Sequence, residues 1–286
     1  MKEICIEILE KHKYIVNSVT YLRSGASSTI YKCSTNKGDL ALKIKMSENA
    51  SLENEFKILK LIEKHKISPK AYFHGIYNNN PYLIEDFVEG RRLPWRGMKT
   101  EDVLLVADFF NKLHSIKIND ESKIKEYELK KHLKYPEKFI HKNKEFKELY
   151  NIAEKKLDSL KLENLKALRH TDPNPHNFIK TKNKIISVDF EESKIGHPAI
   201  DVADFFIKAN LNIEKQNRFY SKYRTKNMKR EVDVFMITGL LGLIAWKLDR
   251  VDLIKQKKIH KNNYKSLDAE KKSAQTLIKK LKKLLR

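Results

Sequence analysis

One short segment of the chain contains a histidine, an aspartate and an asparagine at a spacing that suits phosphoryl transfer. His170, Asp172 and Asn177 follow the pattern H-x-D-x-x-x-x-N. A carboxylate such as Asp172 can take the proton of an attacking hydroxyl group, and the side-chain carbonyl of Asn177 is an oxygen ligand suited to Mg²⁺. Two prolines between them exclude a regular helix. We therefore expect a shaped loop that presents Asp172 as a catalytic base.

An aspartate after the next apolar run can supply a second metal ligand. The run Ile185-Ile-Ser-Val is followed directly by Asp189. A loop of this spacing followed by a strand-borne acid is the arrangement of a kinase catalytic loop and its metal-binding aspartate. Because the phosphates of ATP carry dense negative charge, a divalent metal must neutralise them. The pattern predicts ATP and Mg²⁺ as cofactors, Asn177 and Asp189 as metal ligands, and His170 as a brace for the loop.

Two other interpretations of this segment stay open. His170, Asp172 and His176 could surround a zinc ion, although no second cluster of histidines or cysteines completes a tetrahedral site. These residues could also be ordinary loop-forming residues without a chemical role. The second acid after the loop and the two-part organisation of the chain favour phosphoryl transfer over both.

The first part of the chain offers a lysine for the nucleotide phosphates. Leu40-Ala-Leu-Lys43-Ile resembles the V-A-I-K strand, whose lysine pairs with the α- and β-phosphates. Twelve residues later, Glu55 lies on a predicted helix and could pair with Lys43. Glu53 is the competing partner on the same helix.

Two further segments complete a predicted nucleotide site. The turn that contains Ser24, Ser27 and Ser28 would cover the phosphates with backbone N–H groups and hydroxyls. The run from Tyr82 to Gly90 fits a strand that leads into a hinge, where backbone groups of Glu85 and Phe87 could hydrogen-bond adenine.

The apolar patterns predict an α+β chain with two lobes. Strand-like runs with turns fill the first part, interrupted by one amphipathic helix, and mostly helical patterns follow Gly90. The expected lobes are residues 1–88, which bind the nucleotide, and residues 89–286, which carry catalysis and the acceptor. The predicted strands are Ser18–Leu22, Ile30–Cys33, Asp39–Lys45, Ala71–Phe73, Tyr82–Phe87, Asn177–Ile179 and Ile185–Phe190, and the predicted helices are Leu52–His65, Val103–His114, Glu145–Leu160, Arg230–Asp249 and Ala269–Arg286.

The overall composition says less about the function of the protein than the motifs do. The formal net charge of +22 comes from lysines spread over the whole chain, so we interpret it as a compositional bias and expect no nucleic-acid partner. The basic amphipathic segment Ala269–Arg286 leaves binding to a membrane surface open, with docking on the large lobe as the favoured interpretation. Two cysteines and no visible secretory signal indicate the cytoplasm. The oligomeric state is not indicated.

The ordered set of motifs resembles the aminoglycoside phosphotransferase and choline kinase family, which has a protein-kinase-like fold. The matching segments are Leu40–Lys43, the Glu55 helix, Leu83–Gly90, the Leu104–His114 helix, His170–Asn177, Asp189–Glu191 and Gly196–Ala203. The resemblance implies that Asp201 supports the catalytic loop through His170 or Arg169. Departures include Thr171 and Pro173 around the catalytic aspartate, His176 in place of a frequent glycine, and Glu191 in place of the glycine that follows Asp-Phe in protein kinases.

The resemblance implies a kinase that phosphorylates a hydroxyl group of a small molecule. Candidate acceptors are aminoglycosides, choline or ethanolamine, thiamine, and sugar or amino-acid alcohols, with Glu191 and Asp204 as candidate acceptor ligands. The short stretch between Asp189 and Asp201 leaves no room for a protein kinase's activation segment. A nucleotide-binding protein with a regulatory or scaffold role, and a kinase acting at a membrane surface, stay open as alternatives.

Overall fold

Five antiparallel strands form the sheet of the N-terminal lobe. The computed structural model describes residues 1–24, 28–45, 52–118, 124–126, 133–159, 165–224, 228–256 and 266–285. The strands are β1 (Val16–Ser24), β2 (Ser28–Thr35), β3 (Gly38–Lys45), β4 (Ala71–Tyr77) and β5 (Asn80–Asp86). Their order in the sheet is β1-β2-β3-β5-β4. Strand β3 begins at Gly38, directly after the turn from β2, and Gly38 has a φ of 108°, a backbone conformation that favours glycine.

Two helices accompany this sheet. Helix α1 (Lys2–Lys11) packs Cys5, Ile8 and Leu9 into a small core with apolar residues of the strands. Both cysteines, Cys5 and Cys33, are buried free thiols in that core. Helix α2 (Glu53–Ile62) turns its apolar face, including Ile58 and Leu59, into a second core that continues through the C-terminal lobe. The two lobes therefore share apolar packing through α2.

Helices build the C-terminal lobe around an aromatic cluster. They are α3 (Thr100–His114), α4 (Lys134–Glu137), α5 (Lys144–Asp158), α6 (Ala199–Lys208), α7 (Ile213–Lys222), α8 (Lys229–Lys255) and α9 (Leu267–Leu285). The rings of Phe110, Phe178, Phe205 and Phe219 pack with centroid separations of 5.7 to 6.1 Å where they meet. Helix α6 is buried on most of its length and packs on α8.

Short strands between the helices hold the loops that contain the predicted site residues. These strands are β6 (Arg91–Arg92), β7 (Ala167–Arg169), β8 (Phe178–Lys180), β9 (Ile185–Ser187) and β10 (Lys194–Gly196). One small sheet has the order β6-β8-β9, and a second consists of β7 and β10. The loop from His170 to Asn177 connects β7 to β8, and Asp189 follows β9.

The predicted α+β, two-lobed architecture is confirmed, with differences in detail. The strand predicted over Ile185–Phe190 ends at Ser187, because Asp189 adopts a positive φ of 72°. Helices α1, α4, α6 and α7 are additions to the predicted set. Helix α9 buries Ala274, Ile278 and Leu281 and packs against α8, as the docked interpretation of this basic segment requires. Within the described ranges, no helix combines the length and apolar character needed to cross a bilayer.

Candidate active site

The loop after β7 presents Asp172 and Asn177 to each other. Asn174 caps the single helical turn Pro175–Asn177, and its Oδ1 accepts from the His176 N–H at 3.1 Å. The Asn177 Nδ2 donates to Asp172 Oδ2 at 3.1 Å and to the Asp172 carbonyl oxygen at 3.1 Å. The side-chain amide of Asn177 therefore directs its Nδ2 to Asp172 and its Oδ1 away from Asp172. This orientation suits an Oδ1 that binds a metal ion.

Asp201, at the start of α6, holds the backbone on the N-terminal side of this loop. Its carboxylate accepts from the His170 N–H at 2.7 Å, the Thr171 N–H at 3.1 Å and the Arg169 Nε at 3.2 Å. His114 Nε2 lies 3.3 Å from the same carboxylate. Burial alone would raise the pKa of Asp201, but Arg169 and His114 hold that pKa well below its usual range. A charged Asp201 thus fixes the strained turn at Thr171, whose φ is 70°.

His170 ties the loop to the strand that precedes Asp189. Its Nε2 lies 2.8 Å from Ser187 Oγ and 3.2 Å from the Val188 carbonyl oxygen. Burial lowers the pKa of His170, so the ring is neutral near pH 7. Among the described residues, His170, Asp172 and His176 do not come together closely enough to form a metal-binding group.

Lys43 joins the two lobes through ion pairs. Its Nζ lies 2.8 Å from Glu55 Oε2, 2.7 Å from Asp189 Oδ1 and 3.3 Å from Glu191 Oε2. Burial would lower the pKa of Lys43, but these three carboxylates raise that pKa above its usual value. Glu55 is buried and is the partner of Lys43, whereas Glu53 pairs with the exposed Lys57. The other oxygen of Glu55 accepts from the Phe190 N–H at 3.2 Å, which fixes the chain just after Asp189.

The same carboxylates form a group that could hold a divalent cation. Oxygens of Glu55, Asp189 and Glu191 lie within 4.8 Å of one another. Lys43 and Lys45 supply two positive charges against these three carboxylates. Burial would raise the pKa of Asp189, but Lys43 lowers it, so Asp189 is ionised and available as a ligand. Hard oxygen donors with a negative balance fit Mg²⁺.

The two predicted acceptor ligands, Glu191 and Asp204, have different surroundings. Glu191, a predicted acceptor ligand, contacts Lys43 and Lys45 on the metal side of the cleft. Asp204 lies on α6, in the lining of a cavity that also includes Lys208. The contact of either residue with an acceptor stays a prediction.

The predicted nucleotide-covering turn is only partly described. Ser24 Oγ lies 3.0 Å from Thr29 Oγ1 across the β1–β2 pair, and Ser28 begins β2. Ser27 lies outside the described residues. The hydroxyls of Ser24 and Ser28 flank the turn, and their contact with phosphates stays a prediction.

The hinge residues have different environments. The Phe87 N–H donates to the Asp39 carbonyl oxygen at 3.2 Å, so an adenine contact there would have to use its carbonyl group. The Glu85 side chain is buried, and burial together with the charge of Glu55 raises its pKa well above the usual value. The adenine contacts of both residues stay predictions.

Lys208 is a residue near the catalytic loop that the sequence did not reveal. Its Nζ lies 2.6 Å from Asp172 Oδ1, although the two residues are 36 positions apart. Lys208 is the last residue of α6, one turn after Asp204. A single lysine at a helix end in a lysine-rich chain carries no recognisable signal.

Comparisons with known proteins identify a family and a shared fold. The family model for choline/ethanolamine kinase matches residues 19–236. No curated protein sequence matches the chain. The spectinomycin phosphotransferase APH(9)-Ia, solved with ADP and spectinomycin, is a structural neighbour with a TM-score of 0.75 and 12% identity, over 100% of this chain and 97% of that one.

Two further solved structures have the same fold. Choline kinase LicA from Streptococcus pneumoniae superposes with a TM-score of 0.72 and 16% identity, over 100% of this chain and 98% of that one. Amicoumacin kinase hAmiN, solved with AMP-PNP and Ca²⁺, gives a TM-score of 0.68 and 16% identity, over 96% and 92% of the two chains. With a family model that covers most of its length and a protein-kinase-like fold, the chain belongs to the choline/ethanolamine kinase family.

Proposed function

We propose that the protein transfers the γ-phosphoryl group of ATP to a hydroxyl group of a small molecule, with Asp172 as the base. Asn177 is hydrogen-bonded to Asp172, and Lys43 is paired with Asp189. The observation that carries this proposal is the backbone hydrogen bond of 2.9 Å from the Val188 N–H to the Asn177 carbonyl oxygen, which joins these two pairs. The nucleotides bound in related structures, ADP and AMP-PNP, support a nucleotide as donor. We assign residues 1–88 to nucleotide binding and residues 89–286 to catalysis and acceptor binding.

The reaction needs one bond to form, one to break and one proton to move. The acceptor oxygen forms a bond to the γ-phosphorus, and the bond from that phosphorus to the bridging oxygen breaks, so that ADP leaves with the electron pair. The hydroxyl proton passes to a carboxylate oxygen of Asp172. Lys43, fixed by Glu55, neutralises phosphate oxygens of the donor.

Asp189 and Asn177 would hold Mg²⁺, with Glu191 or Glu55 close enough to assist. The metal supplies neutralisation of the phosphate charge. Asp201 keeps the loop backbone in place, so that Asp172 does not have to reorganise during the reaction.

The test is turnover of ATP with Mg²⁺ against a panel of small alcohols, for the wild type and Asp172→Asn. We expect the substitution to lower kcat by about 10²–10⁴-fold while the dissociation constant of Mg–ATP changes little, because Asp172 does not hold the nucleotide. Asp158→Asn, at the exposed end of α5, is the matched control and should behave as the wild type.

The outcome separates this proposal from its alternatives. Full activity in Asp172→Asn would overturn the assignment of the base. Tight binding of Mg–ATP without turnover of any acceptor would favour the regulatory or scaffold role.

A further inference from the structure

A small cavity opens beside Asp172 between α6 and α8. Its volume is about 210 Å³, below the range of about 300–1,000 Å³ that is typical of sites for drug-sized ligands. The space fits a small metabolite better than a multi-ring antibiotic. The residues that line it are Asp204, Ile207, Lys208, Thr238, Gly239, Gly242 and Leu243.

Glycines of α8 create this space. A Cβ on Gly239 would lie 2.9 Å from the Ile207 side chain and 3.3 Å from Asp204 Oδ1, so a larger residue would press on α6. A Cβ on Gly242 would meet nothing within 4 Å. The two glycines are three positions apart and face the same side of the helix. The cavity is therefore a built feature of the α6–α8 contact.

Two ionisable side chains in the cavity lie next to the predicted base. Lys208 Nζ contacts Asp172 Oδ1 at 2.6 Å. Burial would lower the pKa of Lys208, but Asp204 and Asp172 raise it above the usual value. Burial raises the pKa of Asp204 to about 6, and Lys208 opposes this rise. One ammonium group thus faces two carboxylates, one in the cavity and one at the reaction centre.

These groups do not suit a quaternary ammonium ion. Sites for such ligands surround the cation with aromatic faces, and the residues named as lining this cavity include no aromatic side chain. Trp246 lies further along the same face of α8, but Lys247 and Arg250 already cover its ring at 4.4 and 4.7 Å. A choline-like ligand in the cavity would place its fixed positive charge beside Lys208 as well as beside Asp204, without an aromatic face to bind it.

We propose that the acceptor is a small hydroxy acid whose carboxylate binds Lys208. A hydroxylated amino acid would use both charged side chains of the cavity, because its amine would bind Asp204. The proposal rests on the function proposed above. Lys208 is the only cation in the described lining of the cavity, and its tether to Asp172 places a bound carboxylate close to the base. The hydroxyl of such an acceptor would then point at Asp172, with the amine directed to Asp204 on the same helix.

Matched acceptors test the charge requirement directly. L-Serine is ethanolamine with an added carboxylate, and glycerate has the carboxylate without the amine. We expect kcat/KM to be highest for L-serine or L-homoserine, lower for glycerate, and lowest for ethanolamine and choline. Binding of the same compounds to the protein loaded with Mg²⁺ and AMP-PNP, measured by calorimetry, gives a second readout that does not depend on turnover.

Substitutions in the cavity separate recognition from catalysis. Lys208→Met should lower kcat/KM for the hydroxy acids by about 10- to 100-fold, the value of a hydrogen bond to a charged group. The ratio of kcat/KM for L-serine to that for ethanolamine should fall with it, and Lys208→Arg should restore part of that ratio. Asp204→Asn should reduce the preference for L-serine over glycerate. Lys271→Met, on an exposed part of α9, is the control.

Three results would overturn the acceptor class while leaving the proposed function intact. The first is a preference of the wild type for choline or ethanolamine. The second is an equal loss of kcat/KM for all acceptors in Lys208→Met. The third is a protein that binds Mg–ATP but neither binds nor turns over any hydroxy acid. Failure to bind Mg–ATP would instead count against the proposed function itself.

Discussion

Lys43 is a buried cation, with only 4% of its side chain exposed to solvent. Such a charge is stable only when carboxylates compensate it, because the cost of removing an ion from water is several kcal/mol. Glu55, Asp189 and Glu191 provide that compensation and come from α2 and from the segment after β9. The ion pairs therefore stabilise the contact between the lobes as well as the site.

Replacing Lys43 should have two measurable effects. Lys43→Met leaves buried carboxylates without their partner, so we expect a loss of about 3–5 kcal/mol in the free energy of unfolding together with weaker binding of Mg–ATP. Urea unfolding and calorimetry measure the two effects. Lys57→Met removes an exposed pair with Glu53, and such pairs contribute about 0–1 kcal/mol. Equal effects of the two substitutions would contradict the role given to Lys43.

Single residues also show what can be inferred from sequence. Asp172, Asn177 and Asp189 belong to one spaced motif, so the spacing alone predicts that they lie close together. The contact between Lys208 and Asp172 depends on how α6 packs, and nothing in the local sequence marks it. The placement of Glu191 on the metal side follows from the positive φ of Asp189, which turns the chain in a way that spacing alone does not reveal.

At the scale of elements, α6 connects the catalytic loop to the body of the C-terminal lobe. Its first turn provides Asp201, which holds β7 and the loop, and its last turn provides Lys208. One helix thus positions both the backbone and the charge partner of Asp172. The segment of α6 carries Asp201, Asp204 and Lys208 at helical spacing among apolar residues, and this helix could have been predicted from that pattern.

Asp201 should make stability depend on pH in a defined direction. Its pKa in the folded protein lies below the value of about 3.9 expected for the unfolded chain. Its contribution is therefore complete above about pH 5 and is lost as the pH falls through the folded pKa. We expect Asp201→Asn to lower the free energy of unfolding by about 3–5 kcal/mol at pH 7.

Denaturant unfolding at pH 7 and at pH 3 tests this expectation. The difference in the free energy of unfolding between wild type and Asp201→Asn should be smaller at pH 3. At that pH the stabilisation that the charged Asp201 gives the wild type is partly lost. A difference that stays constant between the two pH values would show that the charge of Asp201 is not what stabilises the loop.

At the scale of the whole molecule, the proposed nucleotide site lies where the two lobes meet. The sheet and α2 could be predicted from alternation and helical spacing, and they appear close to the expected positions. The core that the two lobes share through α2 could not be predicted from the sequence, because it depends on long-range packing of Ile58 and Leu59 with residues of the C-terminal lobe. A ligand that bridges the lobes should therefore stabilise both against unfolding.

Mg–ATP should raise the melting temperature of the wild type. A ligand at 100 times its dissociation constant adds about 2.7 kcal/mol to the free energy of unfolding. We expect Asp189→Ala to lose most of this stabilisation, since the metal-bound nucleotide loses a ligand, and chelation of Mg²⁺ should have the same effect on the wild type. Differential scanning calorimetry with and without Mg²⁺ measures both. An unchanged shift in Asp189→Ala would remove Asp189 from the metal site.

The two buried cysteines described in the N-terminal lobe have a practical consequence for observing motion between the lobes. Burial raises the pKa of Cys5 to about 11 and that of Cys33 to about 12, so both thiols are protonated and shielded from reagents near pH 7. Cysteines introduced at exposed positions, such as Lys64 and Lys155, would be the only reactive thiols in the native protein. A donor and an acceptor dye attached there would report the distance between the lobes by energy transfer, without removing either natural cysteine from the core.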